Sequence, residues 1–588
     1  MRRRLILPTL PLALAGLLLT GCAVTGVTTS GSATTSTTGS GTTTAVEAAV
    51  DSDLDPAAVL AANQEATVVA DDDWSADDAV DITLTGSSAT TSADGVDASG
   101  NTVTLTAAGV YRLSGDLTGS VVVAAPEDAQ VVLILDGVDI TNADGAAISV
   151  TTADDVVLSL AEGSRNSVSD ASSYDNAAEA NAAIYADADL TVTGTGSLAV
   201  TGNGNDGITS TDDLAITSGT ITVDAADDAL RGKDALVISG GTLDLAARGD
   251  ALKSDDDEDA TRGYVWISGG TVSATSGDDG IAAATDAVIT GGTVTLRAEG
   301  AADAGAKGIS AGVVVSIGDG TVDVTATDDG LHSNGSIGIV GGVTTVSSGD
   351  DGAHADAALE IAAGSLTIAE SSEGLEATDI TISGGEVAVT ASDDGLNGSG
   401  DSATDSATEG GAGGGPGGGG MSDTGETITI SGGTLTVDAG GDGIDSNGSV
   451  TVTGGDIVVW GPTMQGNGAL DSNGGFEVTG GTLLAVGSSG MAESPDAASA
   501  QAWVAATISG AAGDEIEITD ADGTVIASTA AAKQFETVVF SSSDVAGDGA
   551  YTVTVGGESV TATAGEAIAG GMGGGPGGAH PGGGGGRS

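Results

Sequence analysis

A short strand-like segment returns about every 22 residues between positions 189 and 486, and this period constrains the fold more than any other feature. The segments begin at Ser197, Thr220, Thr242, Thr271, Thr293 and Thr321, then at Val343, Ser365, Glu386, Thr434, Asp456 and Thr482. Each alternates outward and inward residues, as in Thr220-Ile221-Thr222-Val223 and Thr434-Leu435-Thr436-Val437. A second short strand and a glycine turn come before it, and an acidic turn follows. The two widest spacings, 29 and 48 residues, contain an acidic insertion, Asp255-Asp256-Asp257-Glu258-Asp259, and a glycine-rich one at 398–425.

Strands of four or five residues cannot bury a face alone, so such units must stack coil on coil at about 4.8 Å. Twelve of them would span roughly 58 Å. The period therefore predicts an all-β chain, a right-handed parallel β-helix with about 22 residues per coil. Aromatic residues make up only 2% of the chain, which suits a narrow interior stacked from Val, Leu and Ile. Paired glycines such as Gly240-Gly241 and Gly384-Gly385 supply turns with positive φ. The helix domain is expected over 80–499, with the less regular stretch 80–188 forming its first coils and N-terminal cap. Residues 500–569 break the period, and Ile516-Glu517-Ile518 and Tyr551-Thr552-Val553 read as a small C-terminal β cap over an exposed sheet edge.

The N-terminus reads Met1-Arg2-Arg3-Arg4, an apolar run from Leu5 to Leu19, then Thr20-Gly21-Cys22. A basic start, a short apolar stretch and small residues before a lone cysteine make residues 1–22 a secretory signal. It resembles a bacterial lipobox, which implies lipidation of Cys22 and a place on the outer face of the cell membrane. Residues 23–79, rich in Ser, Thr, Gly and Asp, read as a flexible linker, and 570–588 as a glycine-rich disordered tail.

Acidic side chains number 84 against 14 basic ones, a net charge of -70. That balance argues against a nucleic-acid binder, which needs Lys and Arg against phosphate. One cysteine excludes a disulfide framework and a thiolate-rich metal cluster. A hydrophobic content of 40% argues against a solvated acidic chain. Much of the charge instead falls at the turns, in phase with the repeat. The first corners carry Asp206, Asp227-Asp228, Asp250 and Asp278-Asp279, and later ones Asp328-Asp329, Asp350-Asp351, Asp393-Asp394 and Asp442. Stacking would set these carboxylates about 5 Å apart, where like charges repel unless neutralised. Ca²⁺ is the natural counter-ion, because it takes six to eight oxygen ligands. Against this, Asp and Gly also simply favour turns and keep a rod soluble. At Asp228-Ala229 and Asp250-Ala251 the Asp-Gly pattern is broken, which makes a metal less secure there.

For a sugar ligand, alternation in Tyr264-Val265-Trp266-Ile267 turns Tyr264 and Trp266 outward, and Trp460 is placed likewise. Arg231, Lys233 and Lys253 gather near the first two, with Arg248 and Arg262. These residues could stack on and pair with a polysaccharide. They could equally pack against the acidic insertion and neutralise its aspartates. His332 and His354, 22 residues apart, should stack on adjacent coils, and read more readily as surface turn residues than as transition-metal ligands.

A family resemblance rests on Gly109-Val110-Tyr111-Arg112-Leu113-Ser114-Gly115-Asp116, Leu133-Ile134-Leu135-Asp136-Gly137, Asn181-Ala182-Ala183-Ile184-Tyr185 and Arg231-Gly232-Lys233-Asp234. The chain resembles the calcium-binding, carbohydrate-binding β-helix proteins of clostridial cell surfaces over roughly 80–565. The resemblance implies a right-handed parallel β-helix that binds Ca²⁺ and a cellulose- or polygalacturonate-like glycan. The combined expectation is a lipid-anchored, calcium-stabilised polysaccharide binder without catalysis. A polysaccharide lyase using Lys253 or Arg231, and a structural stalk or adhesin, are the alternatives.

Overall fold

The computed structural model describes residues 54–175, 178–301, 305–400 and 423–568, and these are almost entirely strand and turn. Cys22, the signal segment, the tail, and most of the glycine-rich insertion lie outside the described residues. Within them, each strand of the repeat pairs in parallel with its counterpart one repeat later, while Val80–Gly86 with Ala89–Thr91 and Val96–Ser99 with Thr102–Leu105 form antiparallel pairs at the start. Thr220–Ala225 lies on Thr242–Ala246, which lies on Thr271–Ser276. The same stacking continues to Asp456–Trp460 on Thr482–Gly487. The result is a solenoid-like parallel sheet.

Each coil has three strands where the sequence pattern predicted two. The additional strand is three residues long and sits inside what reads as the acidic turn: Leu230–Gly232, Leu252–Ser254, Ile281–Ala283 and onward. Its first residue points inward. Leu230, Leu252, Ile281, Ile309 and Leu331 stack in register, each fully buried. Burying one such side chain contributes about 1.5–3 kcal/mol, so the stacked column is a main source of stability.

The glycine pairs divide their work. Gly241 has φ +88°, the left-handed region the turn requires. Gly240 does not, but a Cβ there would stand 2.3 Å from the Thr217 carbonyl oxygen of the preceding coil. One glycine permits the turn and the other permits the coils to approach.

Residues 54–79, expected as part of a flexible linker, instead run along the solenoid. Asp55 caps the helix Pro56–Ala62 by accepting from the Ala57 N–H at 2.9 Å. The segment is then tied down coil by coil. Ser316 Oγ donates to the Leu54 carbonyl at 2.7 Å, Asn63 Nδ2 to Asp286 Oδ2 at 2.7 Å, and the Thr67 N–H to Asp213 Oδ2 at 2.7 Å. Farther along, the Val69 N–H donates to Thr191 Oγ1 at 3.1 Å. The outward column beneath it reads Val157, Thr191, Ala215, Val237, Trp266, Val288, Ser316 and Gly338. Beyond the strap the column turns polar, with Thr381, Thr429 and Thr451. An apolar outer face is stable only when covered, and the strap covers it.

After the last coil, Thr482–Gly487 pairs antiparallel with Phe535–Ser541, which pairs antiparallel with Trp503–Gly510. A separate antiparallel sheet contains Glu515–Thr519, Val525–Ala530, Ala550–Val555 and Glu558–Thr563. Trp460 is buried in the cluster these strands form with Leu484, Val486, Phe535 and Phe540.

Candidate functional site: a ladder of acidic corners

The acidic corners form one ladder along the rod. Asp228 donates its N–H to Asp206 Oδ1 at 3.3 Å, Asp250 to Asp228 Oδ1 at 2.9 Å, and Asp279 to Asp250 Oδ1 at 2.9 Å. Lys307, in the position an aspartate holds elsewhere, donates its N–H to Asp279 Oδ1 at 2.8 Å. The ladder resumes with Asp351 on Asp329 at 3.2 Å and Asp442 on Asp394 at 2.5 Å. The two members of an Asp pair therefore differ. The second, such as Asp228 or Asp329, is buried and uses Oδ1 to tie coil to coil, and Asp351 is buried likewise. The first, such as Asp227, Asp278, Asp350 or Asp393, is exposed.

Three residues after each ladder acid, the middle residue of the short strand faces outward beside it. In register this column reads Thr209, Arg231, Lys253, Ala282, Ser310, His332, His354, Glu376, Asn397 and Asp445. Its chemistry sets the electrostatics of the neighbouring carboxylates. Lys253 Nζ lies 2.7 Å from Asp250 Oδ2 and 3.1 Å from Asp228 Oδ2. Arg231 lies 2.6 Å from Asp255 Oδ2 in the acidic insertion and 3.8 Å from Asp206 Oδ2. Burial and Asp228 still push the Asp206 carboxyl up to about 7, against the Thr209 hydrogen bond and Arg231.

Asp329 shows the opposite result. Burial would raise its carboxyl, but His332 Nδ1 at 2.8 Å and Lys307 Nζ at 2.9 Å hold it down at about 2. Lys307 also reaches Asp328 Oδ2 at 2.6 Å. In the last coils no Lys, Arg or His pairs with Asp394, Asp442, Asp445, Asp471 or Glu493 among the described residues. Burial together with Asp471, Asp442 and Asp394 pushes Asp445 up to about 8. Burial and the neighbouring acids likewise raise Asp442 and Glu493 to about 7.

The structure thus places every metal-ligand candidate on one ladder and brings some into tight groups. Asp206, Asp227 and Asp228 present oxygens within 4.8 Å of one another, as do Asp250, Asp278 and Asp279, and Asp328, Asp329 and Asp350. Asp351 instead groups with His354 and Glu376. Asp393, Asp394 and Asp442 have no third carboxylate that near among the described residues. The Asp-Ala corners do not prevent convergence, since Ala229 and Ala251 are simply buried.

The expected aromatic platform is overturned. Tyr264 is only 3% exposed, and its hydroxyl donates to the Gln64 carbonyl of the strap at 3.0 Å. Trp266 lies half-buried with it, donating from Nε1 to Thr290 Oγ1 at 2.9 Å. Alternation does turn both rings outward, but onto a face that Leu60 and Ala66 occupy. Trp460 is 7% exposed beneath the C-terminal strands. Of the expected sugar-binding cations, Arg231 and Lys253 are committed to carboxylates, while half-buried Lys233 is in no ion pair among the described residues.

Lys307, Glu376, Asp445, Asp471 and Glu493 were not anticipated as site residues. The first three could have been found from the repeat. Ala306-Lys307-Gly308-Ile309 is in phase with Asp278-Asp279-Gly280-Ile281, while Glu376 and Asp445 are in phase with Lys253. Asp471 and Glu493 lie where the period loosens.

Residues 99–352 match the sequence model of a family described as carbohydrate-binding domain-containing protein. A curated protein of that description from Acetivibrio thermocellus is 34% identical over 139 residues, covering 22% of this chain and 48% of that protein. The chain therefore spans about half the length of the curated relative it matches. A solved structure described as a polysaccharide lyase-like protein from C. thermocellum, in a gadolinium derivative, is 34% identical to it. That match covers 40% of this chain and 96% of the other, with a TM-score of 0.39.

Proposed function

We propose that this chain is a right-handed parallel β-helix, capped at its C-terminal end, that binds an acidic or cellulose-like polysaccharide and does not cleave it. The match of residues 99–352 to a carbohydrate-binding domain supports the ligand class. The observation that carries the mode of binding is the run of raised carboxylates in the last coils that no Lys, Arg or His pairs with among the described residues. With Tyr264 and Trp460 covered, stacking on those rings is not open to a sugar. A calcium bridge between Asp394, Asp442 or Asp445 and uronate carboxylates needs neither an aromatic nor a lysine. Ca²⁺ accepts six to eight oxygens and would draw ligands from the protein and the glycan together. In the coils that carry Lys253 and Lys307, the ammonium groups already occupy the corners, so calcium belongs chiefly where they are missing. We further propose that the N-terminal cysteine carries lipid and holds the rod at the outer face of the membrane.

Lys253 is poorly suited to the proton abstraction a lyase requires. Burial disfavours its charge, yet Asp250 and Asp228 more than offset this and raise its affinity for the proton. A general base must be able to lose that proton near working pH.

Electrophoresis through gels containing polygalacturonate, with Ca²⁺ and with EDTA, tests the proposal, alongside pull-down on insoluble cellulose. Retardation that requires Ca²⁺ is the expected result. Retention on no polysaccharide would favour a structural stalk. New ultraviolet absorbance from unsaturated uronides would establish a lyase.

A further inference from the structure

Two histidines in the middle of the rod serve neither the calcium bridge nor the glycan. His332 and His354 are paired in register on adjacent short strands. Their ring centroids are 5.2 Å apart with planes at 77°. His332 Nδ1 lies 2.8 Å from Asp329 Oδ2, and His354 Nδ1 lies 3.3 Å from Asp351 Oδ2. A carboxylate accepts, so Nδ1 of each ring donates to it, and Nε2 offers a lone pair once the ring has lost its second proton, which Asp351 and Glu376 favour at His354 and an incoming ion must displace. Metal-binding imidazoles are held in this manner, with a carboxylate behind the ring fixing its tautomer and orientation. On the Nε2 side stand two further oxygens, Asn334 Oδ1 at 3.1 Å from His332 and Asp356 Oδ1 at 3.8 Å from His354.

Ligand atoms also converge. Asp329, His332 and His354 can each offer one atom with all three within 4.8 Å, and so can Asp351, His354 and Glu376. Two nitrogens bound to a tetrahedral ion at about 2.1 Å stand about 3.4 Å apart, so the ligand atoms must draw closer than the 4.8 Å within which they lie. The histidine side chains are 15% and 28% exposed, enough to admit an ion from solvent.

We propose that His332 and His354 together hold one divalent transition ion of the zinc class through Nε2, with the Glu376 carboxylate and water completing its shell while Asp329 and Asp351 stay behind the rings. Imidazole nitrogen favours zinc, copper or nickel, whereas Ca²⁺ takes oxygen alone. This site therefore differs in chemistry from the acidic corners on either side, and it does not depend on glycan binding. Lys307 opposes it. Its ammonium shares Asp329 Oδ2 with His332 and places a positive charge beside the incoming ion.

The test is calorimetric titration of the chelator-stripped full chain with zinc chloride, in the presence of about 1 mM CaCl₂ to fill weak oxygen sites. One equivalent of zinc should bind, and His332→Gln or His354→Gln should weaken it at least about tenfold. Lys307→Met should tighten it, and His580→Ala, in the tail, should leave it unchanged. The glutamine variants can still donate to the ladder carboxylates, and thermal melting checks that they fold. Should they not fold, the visible spectrum of the wild-type cobalt complex decides. An intense tetrahedral band supports the site, and a weak all-oxygen octahedral band overturns it. No zinc uptake in calcium, equal affinity in the doubly substituted chain, or loss of binding in His580→Ala would each overturn the proposal.

Discussion

Asp329 and Asp442 hold the same phase of the repeat, a few coils apart, yet burial leads to opposite outcomes. At Asp329, Lys307 and His332 overcome desolvation and hold the carboxyl near 2. At Asp442 the neighbours are Asp394, Asp471 and Asp393, and the carboxyl is pushed to about 7. The backbone is nearly the same in the two places. What differs is the side chain at one phase of the repeat, His332 in one coil and an acid in the other, together with Lys307 in place of a ladder aspartate. A solenoid lets each coil choose its own counter-charge, internal in the middle of the rod and missing among the described residues near its end.

The largest expected effect breaks the internally neutralised half. Asp329→Ala takes the carboxylate from His332, leaves Lys307 with Asp328 alone, and removes the acceptor of the Asp351 N–H. Removing one partner of a buried ion pair costs about 3–5 kcal/mol, to be read from chemical denaturation at neutral pH. The next prediction concerns pH in the other half. Asp442, Asp445 and Glu493 have folded values raised above those of the unfolded chain. Their contribution is fully present below about pH 4 and is lost as pH rises through about 7 to 8. In EDTA the melting temperature should therefore fall between about pH 5 and 8, and Ca²⁺ should restore it by binding the ionised form. A flat profile would mean that the acids are neutralised within the protein. Asp329 runs the other way, its contribution being lost only as pH falls from about 4 toward 2.

Two smaller effects sharpen the contrast. Asp445→Asn removes a charge that no Lys, Arg or His pairs with among the described residues, so in EDTA at pH 8 it should stabilise the fold by on the order of 1 kcal/mol. The same change should reduce the calcium response. Lys233→Ala removes a cation in no ion pair among the described residues, and its effect on stability should stay within about 0.5 kcal/mol. A loss of glycan affinity in that variant would assign Lys233 to the ligand.

The coil period was legible because stacking demands it. Leu230, Leu252 and Ile281 must recur in phase if each is to rest on the next. The third strand was hidden by its length, since three residues such as Leu230-Arg231-Gly232 offer too little alternation to distinguish strand from turn. The strap was missed for another reason. Segments such as Ala235-Leu236-Val237-Ile238 are apolar at every position, which signals cover on both faces. That signal lies in the covered strands, whereas residues 54–79 look like linker by composition. The same oversight exposed Tyr264 and Trp266 on paper, because period-two alternation gives a direction and not the neighbour found there. The acidic corners were legible as a set, but the separate tasks of the two aspartates were not. Only the ladder hydrogen bonds distinguish buried Asp228 from exposed Asp227.

The central claim is that the last coils take their missing positive charge from calcium, and counting bound ions tests it most directly. Equilibrium dialysis of the full chain at pH 8 should show bound Ca²⁺, and a chain carrying Asp394→Asn, Asp442→Asn and Asp445→Asn should bind fewer ions. No bound calcium, or the same number in both chains, would contradict it.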